Sequence, residues 1–421
     1  MLRFWSVMRQ KRLYFYLGLL LYLEAVQVLC FVLQSQQLSK LKGIGITSII
    51  PVPNVVVSTS VELFVGTKRG NIIHVVLPLP PSPDDSVRVN TVSNTNTSTE
   101  TTLKPYPVYS MAVVTKPCDN HSGEFDLLTG GGDRYVTVWE LKGESALGGI
   151  EIRQQLGPHT GWVKDLVSLP YKSNKNCNED STLFSIGCNC IEVWVYTKEN
   201  YKHMCKLQIE SSVEMGSTLS SDLLCLATYH CDDTSNSYLL AGGVDGRLHR
   251  WKLELPNSID NMRKVSRFIN AGVVGAHNGR LNKILVCNNF GALVSVGADG
   301  VVACRMITNY KPLDGWETSK IEVSIKSDDK LTSSCVVDDG LSRAIIAVGT
   351  SSGKLVLVQI VRTESNAKLT LLESLHVTKD ENNPSTIHAM CSFKYNQFQE
   401  TSSYLIAIGH SHGLSICTLN I

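Results

Sequence analysis

The chain has 421 residues, of which 43% are hydrophobic and 18% charged, and its formal net charge is +1. This is the composition of a folded protein, and the charge balance gives no overall bias towards nucleic acid or an anionic membrane. The 13 cysteines are odd in number and scattered through apolar, strand-like runs, which favours free thiols in a reducing compartment over a disulfide framework. We therefore expect a cytoplasmic or nuclear protein.

Residues 1–30 form an apolar segment with a basic start. The run from Leu13 to Leu23 has the length of a signal-peptide core and is too short to span a bilayer unaided. Three interpretations stay open: a targeting signal or membrane anchor, an amphipathic helix packed on the rest of the protein, or an incorrectly assigned start. The first would place the protein in the secretory pathway or an organelle, and an anchor is the one route by which we expect membrane contact.

A glycine-rich turn follows in "LLTGGGDRYVTVWELK", from Leu127 to Lys142. A phosphate-binding loop would open a helix, whereas here β-branched and aromatic residues follow with period two, which predicts a hairpin between two strands. Similar turns recur at intervals of 53 to 64 residues, which indicates a repeat protein. They are centred on Gly70, Arg134, Asn189, Gly246, Gly300, Gly353 and Gly413.

Each repeat also carries an apolar strand before its hairpin, such as "VYSMAVVT", and an outer strand can be placed between repeats, such as "IEIRQQL" and "KLTLLESL". Four strands per repeat and seven repeats predict an all-β fold, a seven-bladed β-propeller over residues 31–421. The polar stretch at about 80–104 is predicted to be a flexible loop. The last repeat ends at its third strand, so we expect an N-terminal strand from Phe31 to Lys40 to complete that blade.

The repeats resemble those of the WD-repeat family, most specifically in blades two to five. "GPHTGWVKDLV" is similar to the family's Gly-His opening, and "VTVWEL" to its Trp-Asp ending. The resemblance implies a structural hydrogen-bond chain within each blade, made of an entry His, a strand Ser or Thr, a turn Asp and a Trp. No blade of this sequence carries all four. The candidates are Thr129, Asp133 and Trp139; His159, Ser185 and Trp194; Asp245 and Trp251; and His277, Ser295 and Asp299.

No catalytic constellation is present in the sequence. "GTSSG" at residues 349–353 matches a nucleophile elbow, but that motif needs a strand-to-helix turn, and here the strand "KLVLVQI" follows. We find neither a His-Glu-x-x-His motif nor a phosphate-binding P-loop. We therefore expect a protein that is not an enzyme and has no metal or cofactor.

The resemblance implies that partners dock on one face of the propeller, the top face. The residues expected there are Lys68, Arg69, Arg134, Trp162, Lys164, Arg247, Arg280 and Lys354. Such a basic face would attract acidic or phosphorylated proteins or peptides, and we expect no nucleic acid. The sequence thus predicts a protein-interaction scaffold.

Two alternative functions stay open. The stretch from Leu127 to Lys142 resembles the box by which some WD-repeat proteins dock on the adaptor of cullin ubiquitin ligases, although Lys142 stands where the box has arginine and lacks its bidentate fork. This would make the protein a substrate receptor. The other alternative is a propeller enzyme with its site at the mouth of the central channel.

Overall fold

The computed structural model describes the greater part of the chain, and within that part the regular structure is β-strand. In these residues, no helix has the length and apolar character that crossing a membrane requires. The described residues are 27–29, 41–52, 60–79, 88–94, 106–115, 125–141, 150–170, 181–197, 200–209, 222–231, 236–254, 267–275, 277–307, 321–325, 329–363, 367–377, 385–398 and 401–420.

The strands form seven antiparallel sheets of four strands each. Six sheets consist of consecutive strands, and the seventh combines β26, β27 and β28 with β1. The first strands of neighbouring sheets contact one another, and β26 contacts β2, so the sheets close into a ring. This confirms the predicted seven-bladed β-propeller. In chain order the strands are β1 (Gln27–Leu29), β2 (Ile46–Pro51), β3 (Ser60–Thr67), β4 (Asn71–Pro78), β5 (Arg88–Asn94), β6 (Val108–Thr115), β7 (Phe125–Gly131), β8 (Val136–Leu141), β9 (Ile150–Leu156), β10 (Val163–Pro170), β11 (Ser181–Gly187), β12 (Cys190–Thr197), β13 (Asn200–Gln208), β14 (Leu223–Cys231), β15 (Asn236–Gly243), β16 (Arg247–Glu254), β17 (Arg267–Gly275), β18 (Leu281–Cys287), β19 (Ala292–Gly297), β20 (Val301–Met306), β21 (Ile321–Ser324), β22 (Leu331–Asp339), β23 (Arg343–Thr350), β24 (Lys354–Arg362), β25 (Ala367–His376), β26 (Ile387–Phe398), β27 (Thr401–His410) and β28 (Gly413–Asn420).

An N-terminal strand completes the last blade, as predicted, but it comes from a different stretch of chain. β1 pairs antiparallel with β28, with Gln27 opposite Asn420 and Leu29 opposite Thr418. The segment 31–40, which the sequence predicts for this role, lies outside the described residues. The difference has a simple reason: a strand pairs through backbone N–H and C=O groups, so side-chain pattern does not fix which neighbouring stretch is used.

The polar segment predicted as a flexible loop, 80–104, contains a strand. β5 (Arg88–Asn94) pairs with β4 and forms the outer strand of the first blade, whereas residues 80–87 and 95–104 lie outside the described residues. An outer strand has a solvent-facing edge and needs no apolar run, so composition alone identified it wrongly as a loop. The outer strands predicted from "IEIRQQL" and "KLTLLESL" are confirmed as β9 and β25.

The hydrophobic core is divided into seven clusters, one between each pair of adjacent blades. Because side chains alternate along a strand, one strand serves two clusters. Ile345 and Ala347 of β23 pack towards the seventh blade, and Ile346 and Val348 pack towards the fifth. Both faces of such a strand are buried, which explains why the sequence shows continuous apolar runs there instead of alternation.

The hairpin turns have a left-handed backbone conformation at six of the seven residues on which the sequence centres them. Positive φ occurs at Gly70, Arg134, Gly246, Gly300, Gly353 and Gly413. The third blade differs, because its positive φ (57°) is at Cys188 and not at the predicted Asn189. Gly246 is also required sterically: a Cβ there would collide with the backbone oxygens of His277 and Gly279.

Candidate functional site

One face of the ring gathers the hairpins that join the second and third strands of each blade and the segments that lead into the first strands. Backbone hydrogen bonds join these two kinds of loop. The Lys68 N–H donates to the Gly45 carbonyl at 2.8 Å, and the His277 N–H donates to the Gly246 carbonyl at 3.0 Å. We call this the top face. In an antiparallel blade the remaining connections lie at the opposite end.

A buried hydrogen-bond chain fixes the top of the third blade. The Trp194 Nε1–H donates to Ser185 Oγ at 3.1 Å, and Ser185 lies 2.7 Å from His159 Nε2. His159 Nδ1 is 3.0 Å from the Arg134 carbonyl oxygen, an acceptor, so Nδ1 carries the proton and Nε2 accepts from the serine. Burial lowers the pKa of His159, in agreement with a neutral ring. The chain therefore links the third blade to the turn of the second.

The fifth blade holds a related chain that ends on a carboxylate. His277 Nδ1 lies 3.0 Å from Asp299 Oδ1, and His277 Nε2 lies 2.9 Å from Ser295 Oγ. The Asn278 N–H donates to the same carboxylate at 2.9 Å. Burial alone would raise the pKa of Asp299, but hydrogen bonds from Asn278, His277 and Val301 outweigh it and hold the pKa below its ordinary value.

The second blade has a shorter version. The Trp139 Nε1–H donates to Thr129 Oγ1 at 2.8 Å, and Trp139 is fully buried. Asp133 accepts from the Tyr135 N–H at 3.2 Å and so closes the hairpin turn. These side chains satisfy buried polar groups and shape the turn, which is a structural role.

The fourth blade repeats the aspartate-capped turn. Asp245 accepts from the Arg247 N–H at 3.0 Å. Trp251 is buried and stacks on the His249 ring, with centroids 6.2 Å apart. The turn aspartate therefore caps its own hairpin in the second, fourth and fifth blades alike.

In a comparison with known proteins, the chain is similar to the tRNA (34-2'-O)-methyltransferase regulator WDR6 of Drosophila melanogaster, with 26% identity over 151 residues. The propeller, its turn aspartates and its Trp–Ser–His chain agree with this match. The seven-bladed propeller and this similarity together support the resemblance to WD-repeat proteins. The match covers 34% of this chain and 14% of the relative, and no protein-family model matches the chain.

The structure places the predicted partner-binding residues on the top face of the propeller. Trp162 is 52% exposed, whereas Lys164 and Lys354 are half-buried. Two of the cations have a carboxylate nearby: Arg247 lies 3.8 Å from Asp245, and Lys354 lies 3.4 Å from Asp329. The exposed predicted cations are Lys68, Arg69, Arg134, Arg247 and Arg280.

The two signs of charge differ in exposure on this face. Within the described residues, every carboxylate of the top face is half-buried: Asp133, Asp222, Asp245, Asp299 and Asp329. Cations protrude, and two exposed ones, Lys42 and Lys330, were missed by sequence reasoning. Lys42 and Lys330 lie in the segments that lead into the first strands β2 and β22. Aligning the repeats at these segments would have identified both residues.

Trp162 belongs to an aromatic cluster that sequence reasoning did not assemble. Its ring stacks on Tyr109, with centroids 5.7 Å apart, and Lys164 Nζ lies over both rings. Val108 and Val163 occupy equivalent pairing positions at the starts of β6 and β10. Tyr109 and Lys164 are therefore at equivalent positions in adjacent blades. Aligning the two repeats in this register would have predicted that their side chains lie close together.

The loop that presents Trp162 is firmly held. His159 binds the turn of the second blade through both its backbone N–H and its ring. The Thr160 Oγ1–H donates to the Gly187 carbonyl at 2.9 Å. Gly161 lies against the Cys188 side chain, where a Cβ would collide with the sulfur. Trp162 is thus fixed in place before any partner binds.

An ion pair joins the inner strands of three blades. Asp165 accepts from Lys283 Nζ at 3.3 Å and from the Leu226 N–H at 2.9 Å, so one carboxylate joins the third, fourth and fifth blades. Asp165 raises the pKa of Lys283. No group of three potential metal ligands occurs in the described part of the chain. "GTSSG" forms the hairpin between β23 and β24.

In the last blade, a buried histidine lies between two serine hydroxyls. His410 Nδ1 lies 2.9 Å from Ser385 Oγ, and its Nε2 lies 3.0 Å from Ser415 Oγ. Burial lowers the pKa of His410 to about 4.

Lys142, on which the cullin-adaptor hypothesis depends, lies outside the described residues.

Proposed function

We propose that the protein is a non-enzymatic scaffold that binds other proteins through the top face of its propeller and works in the cytoplasm or nucleus. The observation that carries the proposal is the difference in exposure between the two signs of charge. Cations protrude from this face, while its carboxylates are half-buried and hydrogen-bonded to turn amides, as Asp133, Asp245 and Asp299 are. The cysteines whose side chains the structure describes are thiols and not disulfides, which supports a reducing compartment.

Such a surface favours acidic or phosphorylated partners. A partner's carboxylate or phosphate would meet exposed guanidinium groups, which form charge-assisted, bidentate hydrogen bonds. Protruding cations also accelerate encounter with an acidic partner, and this effect weakens as salt screens it. Binding through this face should therefore depend on ionic strength.

The test is affinity capture of the full-length protein from its native cells at low and moderate salt. We expect a recurrent set of proteins that the Arg134→Glu/Arg280→Glu variant recovers at a level reduced about tenfold. Lys202→Glu/Lys368→Glu is the matched control, since both lysines are exposed on outer strands. Equal loss in both variants, or recovery that neither changes, would contradict the assignment to the top face.

A narrower form of the proposal follows from the relative. That protein is named as a regulator of a tRNA methyltransferase, so we propose a methyltransferase as one candidate partner of this chain. The same capture experiment tests it: the enzyme should be recovered with the wild-type protein and reduced in the Arg134→Glu/Arg280→Glu variant. Recovery of a cullin adaptor instead, with loss on Lys142→Ala, would favour the substrate-receptor alternative.

A further inference from the structure

Lys164 is held by aromatic rings instead of by a carboxylate. Its Nζ lies 4.2 Å from the centre of the Tyr109 ring and 4.5 Å from that of Trp162. In the described residues, no carboxylate lies within ion-pair distance of this ammonium; Asp222 acts on it only from further away. Ring faces attract the positive charge but accept hydrogen bonds poorly, so the ammonium keeps N–H donors for an incoming anion.

Because Lys164 is partly buried, its lack of a carboxylate partner matters more than it would on a fully solvated lysine. Burial lowers the pKa of Lys164, and the opposing effects of Cys188 and Asp222 do not fully compensate it. The ammonium has therefore lost water without gaining an anion. An anion bound here interacts through a medium of lower dielectric constant than bulk water, and so binds more strongly.

An apolar surface adjoins this donor. Trp162 is 52% exposed although its ring is stacked, and Tyr106 is 41% exposed beside the turn of the second blade, against Gly132. Exposed aromatic rings that are already fixed in position lose little entropy on binding and are typical interface anchors. Arg134 adds a second, exposed cation, and its carbonyl holds the loop that carries Trp162.

We infer that Tyr109, Trp162 and Lys164, which we call the lysine platform, recognise a short partner segment in which a carboxylate side chain is next to an aromatic or large aliphatic one. The carboxylate accepts from Lys164 Nζ, and the apolar side chain packs on the exposed part of Trp162. Charge complementarity favours this occupant, because no exposed carboxylate lies on the described part of the top face. The inference rests on the proposed scaffold function and names the chemistry of its partner.

The experiment uses peptide pools, so that it does not depend on one sequence. The immobilised full-length protein is equilibrated with a pool of decapeptides randomised among Asp, Glu, Phe, Trp and Leu, and with two matched pools. One has Asn and Gln in place of the acids, and the other has Ala in place of the apolar residues. We expect retention of the first pool to exceed that of either control pool about tenfold.

The variants separate the platform from general charge. Trp162→Ala and Lys164→Met should each lower retention about tenfold, whereas Lys164→Arg, which keeps the charge and the ring contact, should largely preserve it. Leu341→Ala and Lys368→Met are matched controls, because Leu341 is 78% exposed at a turn opposite the top face and Lys368 is exposed on an outer strand. Both should retain peptide like the wild type, and each variant's thermal unfolding is compared to show that it is folded.

Two outcomes would overturn the inference. The first is equal retention of the acidic and the amide pools, or retention that Lys164→Met leaves unchanged. The second is retention of single-stranded oligouridylate, lost in the same variants, with no retention of the acidic pool, since the occupant would then be nucleic acid. If cellular partners are still lost on Arg134→Glu/Arg280→Glu, the scaffold function stands without the lysine platform.

Discussion

Replacing Ser185 by alanine should strongly destabilise the third blade. Its hydroxyl accepts from the Trp194 indole and donates to His159, and Ser185 is fully buried. Alanine leaves two buried polar groups without this partner. An orphaned group of this kind costs about 1–3 kcal/mol, so we expect a loss of about 2–5 kcal/mol in the free energy of unfolding.

A double-mutant cycle isolates the hydrogen-bond chain from general packing effects. Phenylalanine at Trp194 has no N–H to orphan, so Ser185→Ala should cost about 1–2 kcal/mol less in the Trp194→Phe background than in the wild type. The assay is urea unfolding followed by far-UV circular dichroism and by pulse proteolysis, because two probes reveal whether the blades unfold together. Ser342→Ala, at an exposed turn, is the control and should change stability by less than about 0.5 kcal/mol.

Additive losses of stability in the Ser185→Ala and Trp194→Phe variants would refute the hydrogen-bond chain. If the double variant's loss equals the sum of the single losses to within about 0.5 kcal/mol, the indole and the hydroxyl are not energetically coupled. A loss below about 1 kcal/mol for Ser185→Ala alone would likewise show that its partners find other hydrogen bonds. In either case the geometry around His159 would not be what fixes the loop before Trp162.

Three further outcomes follow from the same reasoning. Gly246→Ala should cost at least about 2 kcal/mol more in urea unfolding than Gly43→Ala, because both glycines have positive φ but only Gly246 faces backbone oxygens; equal costs would contradict the steric argument. Asp165→Ala should cost about 2 kcal/mol, because it orphans a buried amide and unpairs Lys283, and Lys283→Met should cost less; the reverse order would be inconsistent with the amide contact. The pKa of His410 is lowered to about 4, so the unfolded chain, whose histidine pKa is about 6.5, binds the proton first as pH falls. This ring should contribute a loss of stability of up to about 1.4 kcal/mol per pH unit between about pH 6.5 and 4, and His388, whose pKa is also about 4, adds a loss of the same sign; an unfolding midpoint that is flat across this range would exclude buried neutral rings.

The sequence was sufficient for the blades because their physical causes are local. Glycine turns and doubly buried apolar strands leave clear patterns, as in "GTSSG" and the predicted strand "KLVLVQI" that follows it, which is part of β24. Strands that pair only through their backbones leave none. That is why β1 was assigned to 31–40 instead of Gln27–Leu29, and why β5 was interpreted as a loop.

The candidate site was predictable residue by residue but not as an arrangement. Exposed cations such as Arg134 follow from their place in a turn. The contact of Lys164 with Tyr109 depends on the distance between two adjacent blades, which no single repeat encodes. The difference in exposure between cations and carboxylates is likewise visible only in the folded structure: Asp133 and Arg134 are neighbours in sequence, but the Asp133 carboxylate turns inward to accept from the Tyr135 N–H.

The central claim, that partners bind the top face, is tested most directly by photo-crosslinking. A photoreactive amino acid is placed in turn at Arg69 and Arg280 on the top face and at Leu341 and Lys368 away from it, all four being exposed positions, and each full-length protein is irradiated in its native cells. The account predicts that the partners recovered by affinity capture crosslink from Arg69 or Arg280 and not from Leu341 or Lys368. Crosslinks from Leu341 or Lys368 alone would contradict it.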